Sequence, residues 1–164
     1  MVLPNDPRDI QTRADCERLV RAFYAKALDD PMIGWLFTDV AKLDLEAHVP
    51  TITSFWETML LGTRTYGGGA FAPHASLHRK AGLRGPHFDR WLVLWSQTVD
   101  ELFAGERAEE AKAHAVRVGR AFHRRLQTLP GDDEVVAEEL DGAGGLPVAL
   151  TITRHGAVGG DSHT

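Results

Sequence analysis

The chain of 164 residues has 43% hydrophobic residues and a net charge of −5, enough length for one domain with a real core. That balance excludes the broad basic patch that nucleic acid or an anionic membrane surface would need, and no apolar run approaches the roughly 20 residues of a spanning helix. Cys16, the single cysteine, excludes an internal disulfide, a cysteine-rich zinc site and a cysteine-tethered haem. The first predicted element runs from about Thr12 to Asp30. There Leu19, Val20, Phe23, Tyr24, Ala27 and Leu28 recur at helical steps behind a Thr12–Asp15 capping box. Asp30-Pro31 stops it, because a residue before proline is pushed out of the α region. "MIGWLF" (32–37) is a short apolar turn expected to pack inward.

In "DLEAHVPTITSFWETMLLG", Ile52, Phe55, Trp56, Met59 and Leu60 form one stripe ending at Gly62. Pro50 leaves two starts open: a helix from near Val49, or one from Asp44 that kinks at the proline. Either way His48 heads the buried stripe. "GTRTYGGG" reads as a flexible connection. Pro73 then opens a short helix carrying His74 and His78, one turn apart on one face. The strongest pattern follows, from Pro86 to Phe103, with Phe88, Trp91, Leu92, Trp95, Val99, Leu102 and Phe103 on one side. A last helix spans roughly Ala108 to Leu129, with Ala111, Ala115, Val118, Phe122 and Leu126 inward. After Pro130 the composition turns acidic and glycine-rich, and "LPVALTIT" reads as a strand without a partner. The expected organisation is an all-α domain over 1–130 and a tail over 131–164.

Polar groups on apolar faces carry the chemistry. Tyr24 sits beside Phe23, His48 heads the second stripe and Trp91 lies mid-way along the fourth. A buried hydroxyl or indole N–H needs a partner, so the three together suggest a shared space. "RAFYAKALDDPMIGWLF", "HVPTITSFWETMLLGTRTYGG", "PHASLH", "HFDRWLVLWSQTVDELFAG" and "EEAKAHAVRVGRAF" resemble, in order and spacing, the truncated haemoglobins of group III. The resemblance covers about residues 10–128.

The resemblance implies a compressed helix-on-helix globin around one b-type haem, with His74 as the proximal ligand of the iron. His78 would be solvent-exposed or near a haem propionate. Tyr24, His48 and Trp91 would face the open side of the iron, where donors stabilise the partial negative charge of bound O2. Phe37 would pack on the porphyrin. Ile52, Phe55 and Met59 would wall the ligand side and Leu77 the other, while Arg79 and Lys80 are candidates for the propionates. Two or three donors would slow O2 release, which favours redox chemistry of O2, nitric oxide or peroxide over oxygen delivery. Nitric oxide dioxygenation and peroxidase-like turnover both stay open, and His48 is either a gate or an acid–base group. An unidentified reductase would restore ferrous iron. A cytoplasmic monomer is expected, since "MVLPNDPRDI" lacks a secretory pattern.

Competing readings rest on single features. They are phosphate binding by "YGGG", a nucleophilic Cys16, and a zinc site of His74, His78 and His87. At the level of function, a haem enzyme stands beside a non-catalytic O2 or nitric oxide sensor and a helical module without haem.

Overall fold

Five α-helices and one π-helical turn occupy residues 6–129, the part of the chain that the computed structural model describes. They are α1 (Arg13–Ala27), the π-helical turn Leu36–Val40, α2 (Leu45–Leu61), α3 (Phe71–Ala81), α4 (Gly85–Leu102) and α5 (Glu106–Gln127). The expected tail over 131–164, with "LPVALTIT", lies outside the described residues. Among the described residues no helix is long and apolar enough to cross a membrane.

Helices α1, α2 and α5 start where a side chain supplies an acceptor for the first free N–H groups, whereas α3 starts without a side-chain cap. At α1 the capping box is reciprocal: the Asp15 N–H donates to Thr12 Oγ1 at 3.2 Å, and the Thr12 N–H donates to Asp15 Oδ2 at 3.0 Å. Asp44 caps α2, its Oδ1 accepting from the Ala47 N–H at 3.2 Å. This decides the Pro50 question, for the helix begins at Leu45 and carries the proline inside it, on its exposed side. The cap of α5 comes from far away in the chain: the Asp9 carboxylate accepts from the N–H groups of Arg107 and Ala108, at 2.9 and 2.8 Å. Gly62 and Gly82 close α2 and α3 in the left-handed conformation, at φ 72° and 66°.

The helices form two layers. α1 packs on α2 and α4, α4 on α5 and α2 on α5, while α3 leans on the π-helical turn and α5. Alanines at 108, 111 and 115 line the buried face of α5, which lets α4 approach closely enough for the Trp95 indole to donate to the Ala111 carbonyl at 3.2 Å. Leu19, Val20 and Phe23 of α1, Ile52 and Trp56 of α2, and Val99 of α4 fill the space between layers. Each such side chain stabilises the fold by about 1.5–3 kcal/mol through the apolar surface it hides.

Three expectations need correction. α1 ends at Ala27, short of Asp30, because the buried Asp30 carboxylate accepts from the N–H groups of Met32 and Ile33 and from Arg90, which starts a new turn there. The "MIGWLF" segment packs inward only in part. Ile33, Leu36 and Phe37 are buried, whereas Met32 and Trp35 are 39% and 40% exposed, since a helical winding cannot turn all its side chains to one face. α3 also starts earlier than expected, at Phe71, with Pro73 in its first turn where a missing N–H costs nothing.

Candidate functional site

His74 lies on α3 and is buried. Its Nδ1 is 2.6 Å from the Ala70 carbonyl. A carbonyl only accepts, so Nδ1 carries the hydrogen and Nε2 presents a lone pair. That Nε2 is enclosed and has no hydrogen-bond partner among the described residues. Burial pulls the pKa down to about 4, against the Ala70 carbonyl that favours the protonated ring. The imidazole is therefore neutral at physiological pH. A neutral ring with one nitrogen anchored and the other vacant is what a metal ligand requires. The Phe122 ring of α5 meets it edge-on at 4.8 Å and fixes its tilt.

Around α3 the other expected residues divide. Leu77 is buried on the same face as His74. His78, expected to be solvent-exposed or near a haem propionate, is half-buried, and its shielded Nδ1 has no hydrogen-bond partner among the described residues. Arg79 and Lys80 are exposed at the end of the helix.

A second group gathers on α1, α4 and the π-helical turn. The Phe23 ring sits 5.2 Å from Tyr24 and 5.7 Å from Trp91, and Tyr24 meets Phe37 at 5.8 Å, each pair edge-on. Arg90, next to Trp91, binds Asp30 at 2.7 Å and so ties α4 to the segment that delivers Phe37. Trp91 is 5% exposed, and its Nε1–H has no acceptor among the described residues. A buried donor left in this state costs about 1–3 kcal/mol, a deficit that a ligand with an acceptor atom would remove.

On α2, His48 is half-buried, and burial lowers its pKa while Asp44 opposes the shift. Ile52 is buried one turn on, and Met59 is half-buried. Phe55 is fully buried, but its ring meets Trp56, Tyr66 and His114, on the side of α2 that faces α5. The structure thus joins Tyr24 to Trp91 through Phe23, and Phe37 to Tyr24 directly. Two partners of His74 escaped the sequence reading. Phe122 was visible there only as one more apolar position, and the Ala70 carbonyl leaves no side-chain signal.

Two of the competing readings, the zinc site and the nucleophilic Cys16, lose their footing. His87 is occupied elsewhere, its Nδ1 accepting from the Arg84 N–H at 3.0 Å as part of the α4 cap. Among the described residues no group of three or more His, Cys, Asp and Glu side chains could hold a metal ion alone. Burial, with Glu57 and Asp15 nearby, pushes the Cys16 thiol up to about 12, so it is not a nucleophile.

No family model and no curated protein matches the chain. Its architecture does match a solved structure, a group III truncated hemoglobin from Campylobacter jejuni. The TM-score is 0.66 at 22% identity, over 77% of this chain and 100% of the other. The fold is that of a truncated globin. Within the truncated-globin fold the helical layers, the short α3 and the histidine at its buried face follow from the caps and packing described above.

Proposed function

We propose that the chain is a b-type haem protein that binds O2 and other small diatomic ligands, with His74 as the axial ligand of the iron. The observation that carries this reading is the state of His74: buried, neutral, held at Nδ1 by Ala70 and vacant at Nε2. The truncated-globin fold supports it. The residues present suit the group: an anchored imidazole, the flat aromatic Phe37 beside Tyr24, buried Leu77 and Ile52, and exposed cations at Arg79 and Lys80. When bound, haem supplies an iron that takes diatomic ligands and exchanges electrons.

The chain's own residues set what happens to a ligand there. The Ala70 carbonyl, by accepting from Nδ1, raises the electron donation that Nε2 can give. The Trp91 indole is a donor only, so it selects ligands that present an acceptor atom. Tyr24, one ring away, is the second candidate donor, through its hydroxyl, and His48 at the head of α2 is neutral and able to accept or give a proton. Two or three donors around one small ligand favour holding it for reaction over releasing it. We therefore assign the chain to redox chemistry of O2, nitric oxide or peroxide, with a separate reductase.

The test is the absorption spectrum of protein from haem-sufficient cells beside a His74→Ala variant. A Soret band that shifts or vanishes in the variant is expected. Colourless wild-type protein that also takes up no added haem would sink the reading.

A further inference from the structure

Three of the chain's four tryptophans form a column across the two layers. Trp91 and Trp95, one turn apart on α4, lie nearly parallel at 5.8 Å with an interplanar angle of 5°. Trp56 of α2 stacks on Trp95 as well, 4.4 Å away at 20°. These are the only stacked ring pairs among the described residues; the others meet edge-on or tilted. Indoles are among the most easily oxidised side chains, and parallel overlap is the arrangement in which a missing electron spreads from ring to ring.

The column has two different ends. Trp91 lies beside the Phe23–Tyr24–Phe37 cluster. At the other end Phe55 bridges Trp56 to Tyr66, with ring separations of 5.2 and 5.1 Å. Tyr66 is half-buried and lines an open cleft of about 230 Å³ with Thr51, Ser54, Gly67 and Gly68. The middle of the column is dry, Trp56 and Trp95 each being 1% exposed. The Trp95 N–H is bound to a carbonyl, which cannot take its proton, so an oxidised Trp95 passes its charge on. Cations that would oppose positive charge on the indoles stack elsewhere, on Phe103 and Phe71.

We propose that this column carries single electrons from Tyr66 to the haem space, so that hydrogen peroxide there oxidises a small phenolic reductant held in the cleft. The proposal rests on the haem reading given above. Peroxide takes two electrons and two protons, its O–O bond breaks, and two water molecules leave. Tyr66 supplies the electrons one at a time and loses its phenolic proton with each, becoming a neutral radical. A phenol in the cleft returns one hydrogen atom each time. Over a cycle one peroxide and two phenols become two waters and two phenoxyl radicals.

The experiment loads the full chain with haem, checks the Soret band, and adds one equivalent of hydrogen peroxide with a nitroso spin trap. Peptide mass spectrometry then locates the adduct. Wild type is expected to carry the trap on Tyr66, and Tyr66→Phe to lose it. Trp95→Phe and, at another rung, Trp56→Phe are expected to lose the Tyr66 adduct while keeping the wild-type Soret band. A haem-loaded wild type with no adduct on Tyr66 overturns the column alone, as does an undiminished adduct in the haem-loaded Trp variants. A chain that takes up no haem overturns the haem reading and this proposal with it.

Discussion

A single carbonyl decides the role of His74. By fixing hydrogen on Nδ1, Ala70 leaves Nε2 as a bare lone pair enclosed by the protein. The spacing of His74 and His78 was legible in the sequence, and so was the helix that bears them. The tautomer was not, because the deciding partner is backbone. Trp91 is the complementary case, a buried donor awaiting an acceptor. Replacing Trp91 by Phe should speed O2 release from the haem-loaded protein, measured by stopped-flow displacement. The loss of one donor bond worth about 1–3 kcal/mol corresponds to roughly 5- to 150-fold. Tyr24→Phe tests the neighbouring hydroxyl by the same readout, and an unchanged off-rate in either variant would remove that residue from the ligand's surroundings.

Among the elements, the segment between α1 and α2 was the least legible. "MIGWLF" is apolar throughout, so its pattern offers no face to choose, and the split appears only once Asp30 has bent the chain. Gly34 is the pivot of that bend. A Cβ there would lie 2.4 Å from the Leu28 carbonyl oxygen, a backbone atom that cannot swing aside. Gly34→Ala should therefore destabilise the protein by about 1–3 kcal/mol, read from the urea midpoint, and a variant of wild-type stability would show that the turn can part from α1 freely. Element starts read from Asp44 and Thr12 hold in the structure because caps are local. The start of α5 was misplaced by two residues, since its cap, Asp9, lies far back in the chain.

For the molecule as a whole, acid is the sensitive direction. Two hydrogen bonds from Arg8, joined by the N–H groups of Gln11 and Thr12, hold Asp15 at about 2 against burial, which alone would raise it. Burial opposes ionisation at Asp9 and Asp30 as well, yet backbone N–H groups and, at Asp30, Arg90 keep both below the usual range. A carboxylate with a depressed folded pKa contributes stability that is full above its unfolded value of 3.8 and drains as pH falls towards 2. Urea midpoints should accordingly fall between pH 4 and pH 2, and Asp15→Asn should flatten that decline; an equal slope in the variant would place the acid sensitivity elsewhere. The all-helical truncated-globin architecture was readable because five stripes kept helical period and hid their apolar faces.

Asp9 reaches further than a helix cap. It stands four residues before α1 and holds the first amides of α5, so the polypeptide is latched into a ring nearly a hundred residues around. Closing so large a ring is costly in chain entropy, but the cost grows only with the logarithm of its length. Once latched, the approach to α1 and the first turn of α5 cannot loosen independently. The starts of the first and last helices are joined into one cooperative unit, and fraying that begins ahead of α1 must also strip the cap from α5.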